Sequence, residues 1–211
     1  LSHLDLYIGI YKPCQKKWLK TFNMKELKIK TKIFLDKLKG HKKIKKNILK
    51  LIEESNSDTF KYENFYYNDS IKKLDWNNSR TANRPWVKIL YPFIQKHFDK
   101  CAKKLGFENC YIRALWFQQY KKDNLHNWHT HEQNYTGVYY LELPKLSPLT
   151  ELIDPCNIKN KFKIKAKEGD IVIFPSFVIH RSGKILNDIQ KTIVSFNLEF
   201  DKINKQTLKK L

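Results

Sequence analysis

Apolar positions fall into two regimes along the 211 residues. Up to about residue 110 they recur near helical spacing, and beyond it they alternate or run together as strands do. Met24 to Leu38 predicts a helix, with Asn23 as its cap, Leu27, Ile29, Ile33, Phe34 and Leu38 as apolar positions, and Gly40 as its stop. Lys42 to Glu54 predicts a second, with Ile44, Ile48, Leu49 and Ile52 on one side. Arg84 to Leu105 carries the clearest pattern. Pro85 suits a first turn, Trp86, Ile89, Leu90, Phe93, Ile94, Cys101 and Leu105 form a stripe, and Gly106 ends it. Residues 55–83 are polar and turn-rich, with Tyr62, Phe65, Tyr66 and Tyr67 as candidates for burial.

The second half predicts strands at Tyr111–Tyr120, Thr136–Leu143, Lys161–Lys165, Ile171–Phe174 and Lys191–Phe200, with a polar loop over Lys121–Asn127. Strands at this spacing point to a sandwich or barrel rather than a parallel sheet. The expected class is mainly β with flanking helices (α+β). Residues 1–110 would be a helical, lysine-rich extension packed on a β core of residues 111–211. No Pro/Gly/Ser linker separates them, so one structural unit is expected.

Composition adds globularity and charge. Hydrophobic residues make up 41% and aromatics 14%, enough for a core. No apolar run approaches the roughly 18 residues of a membrane span. Cys14, Cys101, Cys110 and Cys156 form no CxxC pair and read as free thiols. With no leader pattern at Leu1, they give the expectation of a reducing, cytoplasmic setting. Net charge is +20, which attracts nucleic acid or acidic surfaces. Only four of the 41 basic residues are Arg, however, and Lys, Asn and Ile dominate together, as compositional bias would produce. Nucleic acid therefore stays a possible partner rather than the leading one.

Candidate chemistry gathers in three histidines. His129-Thr130-His131 precedes the strand at Thr136, and His180 follows Gly169-Asp170-Ile171-Val172-Ile173-Phe174-Pro175. Imidazole is the commonest protein ligand for mid-row metals. Two histidines two apart on extended chain point the same way, and a third from a distant strand closes one face of a coordination sphere. Glu132 is the alternative third ligand, but neighbours on extended chain point apart, which favours His131. His126 stands nearby without a helix to bring it in, and His3, His41 and His97 read as structural. Lys191 opens the last long strand, placed to hold an acidic group. Tyr139 offers a hydroxyl. Trp116, Trp128 and Tyr135 are candidates for a pocket wall or for core.

From Tyr111 to Phe200 the chain resembles the iron(II)/2-oxoglutarate-dependent dioxygenases. The branch it is most similar to is that of the small phage and marine-bacterial oxygenases related to prolyl hydroxylases. The motifs are His129-Thr130-His131, Gly137-Val138-Tyr139-Tyr140-Leu141, Gly169 through His180, and Lys191-Thr192-Ile193-Val194-Ser195-Phe196-Asn197. The resemblance implies a double-stranded β-helix (jelly roll) with Fe(II) held by His129, His131 and His180, His131 standing where the family has Asp. It implies 2-oxoglutarate as cosubstrate on Lys191, assisted by Tyr139 and, more weakly, Tyr120 and Asn197. Oxygen would be consumed, succinate and CO2 released, and a C–H of a protein, peptide or small molecule hydroxylated.

Two other readings stay open. In a cupin-type metal protein, Gly169, Pro175 and His180 fit the second motif, although Phe177 replaces its glycine. Tyr135 and Thr136 stand where the first motif needs Glu. A basic nucleic-acid-binding protein with a degenerate oxygenase fold would explain the charge.

Overall fold

The computed structural model describes residues 31–63 and 68–210. Thr31–Leu211 form one compact unit. Two antiparallel sheets dominate it. In chain order the elements are β1 (Phe34–Lys37), α1 (His41–Glu54), β2 (Asp58–Glu63), β3 (Asn68–Leu74), a 3-10 turn at Trp76–Asn78, α2 (Pro85–Leu105) and β4 (Phe107–Tyr120). There follow β5 (His126–His129), β6 (Tyr135–Glu142), β7 (Thr150–Asp154), β8 (Asn157–Lys163), β9 (Asp170–Pro175), β10 (His180–Ser182), β11 (Lys191–Ile203) and α3 (Lys205–Leu208). The large sheet runs β1-β9-β6-β11-β4-β3-β2 and the small one β5-β10-β7-β8. This is the double-stranded β-helix.

The large sheet has two working faces. On one, α1 and α2 bury Ile44, Ile48, Ile52, Trp86, Leu90 and Ile94 against Leu115, Phe117, Phe196 and Leu198. The spacing of four among the α1 and α2 residues is the stripe that makes these segments helical. Each fully buried aliphatic side chain there contributes about 1.5–3 kcal/mol relative to exposure. Gly106 ends α2 at φ 89, the left-handed conformation that favours glycine. On the other face, Tyr120, Val138, Tyr140, Phe174 and Ile193 meet Leu152 and Val178 from the small-sheet side. Gly137 allows β6 and β9 to close up: a Cβ there would lie 2.0 Å from the Val172 carbonyl oxygen.

The N-terminal expectations need correction. Asn23 and most of the Met24–Leu38 prediction lie outside the described residues, and its last turn is not helical. Phe34–Lys37 is a strand paired with β9, Phe34 opposite Ile173. Edge pairing with a segment far along the chain overrides local periodicity. Gly40, expected as a helix stop, instead precedes α1 at φ 85. Residues 55–83, read as turns, carry β2 and β3. Tyr62 is 47% exposed rather than buried, while residues 64–67 lie outside the described residues. Thus residues 31–110 contribute three strands to the large sheet as well as both long helices. No helix among the described residues is long and apolar enough to cross a membrane.

Candidate metal centre

Strand pairing brings the histidines together. β10 lies antiparallel to β5 with His180 directly opposite His129. Just beyond β5, the His131 backbone N–H donates to the Ser176 carbonyl at 3.1 Å, which pins the histidine pair to the turn after β9. Ring centroids lie 4.2 Å apart for His129 and His180, and 5.1 Å apart for His131 and either of the others. The ligating atoms of all three are within 4.8 Å of one another. Small side-chain rotations would close that spread around one ion at about 2.1 Å. Glu132 is outside the group.

Backbone carbonyls set the imidazole orientation. His129 Nδ1 is 2.6 Å from the Asn127 carbonyl oxygen and His180 Nδ1 is 2.9 Å from that of Val178. In both rings Nδ1–H donates to the carbonyl, which leaves the Nε2 lone pair for a ligand, as outer partners of metal-bound histidines do. Burial pushes His131 down to about 3, and the neighbouring His129 adds to it. Burial also lowers His129, opposed by its bond to Asn127. His180 is held well below the usual imidazole range by burial and by the other two rings. All three are therefore neutral at pH 7, the form that binds metal. A donor set of three neutral imidazoles fits a divalent mid-row ion. His126, which sequence reasoning set aside, stacks on His129 at 3.8 Å.

A narrow cavity of about 20 Å³ extends from this trio between the sheets. Tyr120 and Ser182 line it. At that end lies Lys191, wholly buried. Its Nζ donates to Ser182 Oγ at 2.9 Å and to the Pro148 carbonyl at 2.8 Å, and it sits 5.6 Å from the centre of the Tyr120 ring. Burial lowers its pKa to about 7. No carboxylate among the described residues pairs with it. The Tyr120 hydroxyl is buried with no hydrogen-bond partner, and its pKa is raised by burial.

Two expected residues face elsewhere. Tyr139 lies on the helix side of the sheet, where its hydroxyl is 2.7 Å from His41 Nδ1. It is Tyr140 that points between the sheets, its hydroxyl donating to Thr150 Oγ1 at 2.6 Å. Asn197 is buried, its Oδ1 accepting from Thr136 Oγ1 at 3.1 Å, and it does not line the cavity. Trp116 does line it, whereas Trp128 lies under the Arg181 guanidinium and Tyr135 packs on Phe200. Ser182 and Gln118 were missed. Both could have been found by period two, Ser182 from His180 and Gln118 from Tyr120.

No family model matches the chain, and no curated protein matches it in sequence. Solved structures match in fold. An oxidoreductase of the 2OG-Fe(II) oxygenase family from Burkholderia pseudomallei is 11% identical, covering 75% of this chain and 80% of its own, with TM-score 0.56. A Pseudomonas putida prolyl-4-hydroxylase is 11% identical over 81% of this chain and 94% of its own, with TM-score 0.57. A Trichoplax adhaerens prolyl hydroxylase, solved with a hypoxia inducible factor peptide fragment, is 15% identical over 80% and 83%, with TM-score 0.57. At these identities the likeness defines architecture. The chain has the fold of the 2OG-Fe(II) oxygenases.

Proposed function

We propose that the protein is an Fe(II)- and 2-oxoglutarate-dependent dioxygenase that hydroxylates a C–H bond. One observation carries the reading: a convergent trio of neutral imidazoles lines a cavity together with Ser182 and Tyr120, and directly behind those two lies the buried Lys191, bonded to Ser182 Oγ and without a carboxylate partner among the described residues. His129, His131 and His180 would hold the iron. Iron and 2-oxoglutarate, when bound, supply an oxidative decarboxylation to succinate and CO2 that places one oxygen atom of O2 in the substrate.

The chain's own residues position and exclude. The Asn127 and Val178 carbonyls hold two imidazoles in the ligating tautomer. Lys191 would anchor the distal carboxylate of 2-oxoglutarate, and that carboxylate would keep the ammonium charged. The Tyr120 hydroxyl, unpartnered and beside Lys191, would donate to the same carboxylate. Phe174, edge-on to His180 at 4.8 Å, keeps water from one side of the trio. Three imidazoles in place of two and a carboxylate leave the full ionic charge on the metal.

The likeness to prolyl hydroxylases supports a peptide or protein side chain as substrate, with a small molecule as the other source. The test is succinate formation from 2-oxoglutarate with Fe(II) and O2, alongside the melting temperature with Mn(II) and 2-oxoglutarate. Succinate release and a rise in melting temperature are expected. A metal-bound protein whose stability is indifferent to 2-oxoglutarate would point instead to a cupin-type function.

A further inference from the structure

A second cavity adjoins the first and reaches two of the trio, sharing Trp116, Gln118, His126, His129 and His131 with it. His129 and His131 form part of its floor, so it continues the proposed metal centre directly. It holds about 260 Å³, close to the lower bound of ligand pockets at roughly 300 Å³. Its outer wall is the β2–β3 hairpin, where Phe60 pairs with Ile71 across the strands, together with Trp76 at the start of the 3-10 turn. Its inner wall is Trp116 and Gln118 of β4.

The chemistry of the wall is unlike that of the chain. Charged residues make up 29% of the sequence and the net charge is +20. Among the described residues, none of those lining this cavity is Lys, Arg, Asp or Glu. Gln118 supplies its amide, which is already engaged: Oε1 accepts from Ser195 Oγ at 2.9 Å, and Nε2 is 3.4 Å from His126 Nδ1. Arg181, which lines the inner cavity, is paired with Glu151 at 2.7 Å. Anionic or cationic recognition next to the trio therefore has no partner group on this side.

The rim is aromatic and open. Phe60 is 40% and Trp76 46% exposed, although both are large apolar side chains. Trp76 stands edge-on to Trp116 with ring centroids 4.5 Å apart, and Trp116 lies 6.0 Å from His131. Aromatic surface thus runs unbroken from solvent to the proposed ligands. Exposed apolar surface that leads into a cavity marks a binding site for apolar groups.

We infer that this second cavity is the substrate site and that the group it presents to the metal trio is uncharged and apolar, a hydrophobic side chain or ring held between Trp76, Phe60 and Trp116. The inference rests on the oxygenase reading for its chemistry but not for its test. Phosphate-bearing substrates such as nucleic acid would have to enter through a wall that offers them no cation.

The test measures binding rather than turnover. The full chain, metal-free and Zn(II)-loaded, is titrated with benzyl alcohol, benzoate and benzylamine at pH 7, read by intrinsic tryptophan fluorescence. A capped peptide, acetyl-Gly-Phe-Gly-amide, is the fourth probe. Benzyl alcohol is expected to bind at least tenfold tighter than either charged analogue. Trp76→Ala and Phe60→Ser, both at exposed positions, are expected to weaken it at least fivefold with the fold intact by circular dichroism. Tighter binding of the peptide than of benzyl alcohol assigns a peptide source, and the reverse a small molecule; either supports the site. Equal affinity for the charged analogues, or no effect of both substitutions, overturns it. Because no iron or 2-oxoglutarate takes part, absence of succinate formation would sink the oxygenase reading and leave this result legible.

Discussion

Lys191 and Tyr120 lie side by side in the core, the ammonium 5.6 Å from the centre of the phenol ring and both side chains wholly buried. They begin β11 and end β4, and the two strands pair there, Lys191 opposite Tyr120. The register therefore brings a charge and an unpartnered hydroxyl to one place beneath the small sheet. Burying an unpaired charge is costly unless a ligand supplies its complement.

That arrangement makes stability depend on pH and on 2-oxoglutarate. The folded pKa of Lys191, about 7, is below the unfolded value of 10.5. Between those two values the unfolded chain binds more protons, so without ligand stability rises as pH goes from 7 to 10.5. The cost of charging is fully present below pH 7. Every pH unit separating the folded from the unfolded value is worth about 1.4 kcal/mol. Lys191→Met should flatten this slope in urea titrations across the alkaline range. It should also remove the rise in melting temperature that 2-oxoglutarate gives to the Mn(II)-loaded protein.

Asp75 supports the rim of the second cavity. Its carboxylate accepts from Arg84 at 2.6 Å, from the Trp86 indole at 3.0 Å and from the Phe117 backbone N–H at 2.9 Å. Burial raises its pKa even so, and the Arg84 charge and the three hydrogen bonds work against that. We take the ionised form, because a guanidinium at 2.6 Å with only 11% of its side chain exposed needs the charge. Asp75→Ala should cost about 3–5 kcal/mol by leaving a buried charge uncompensated, measured by urea denaturation. Trp76, the next residue, should lose its fixed place, and tryptophan fluorescence should shift toward that of exposed indole.

Gly137→Ala should be destabilising for a steric reason alone. The added methyl group would meet the Val172 carbonyl oxygen at 2.0 Å and the Phe196 ring at 2.7 Å. Overpacking of this kind costs about 1–3 kcal/mol, and backbone cannot move aside as a flexible side chain would. The denaturation midpoint should fall with the slope unchanged.

What could be read from sequence follows from where periodicity survives. α2 was legible because Pro85, the stripe from Trp86 onward and Gly106 all agree. The strand opening at Lys191 was legible, and the mainly β fold with it. The short strands β5 and β10 that carry His129 and His180 were not: the sequence singles out only the histidines, and Lys121–Asn127 reads as loop. β2 was not, because every residue in it is exposed, so no buried face marks it. β1 was misread because its partner, β9, lies far along the chain. The tyrosine assignment turned on strand parity. Tyr139 and Tyr140 are adjacent, so one faces the helices and the other the space between the sheets, and the motif alone does not say which. The second cavity draws on β2, β3, β4 and the β5 region, a juxtaposition only the folded chain creates.

The central claim is that His129, His131 and His180 hold one divalent ion. It is tested most directly by titrating the metal-free protein with Mn(II) and following free ion by electron paramagnetic resonance. One ion per chain is predicted, with affinity reduced at least a hundredfold in both His180→Ala and His131→Ala while circular dichroism stays native. Binding of Mn(II) to the folded variants with unchanged affinity would contradict it.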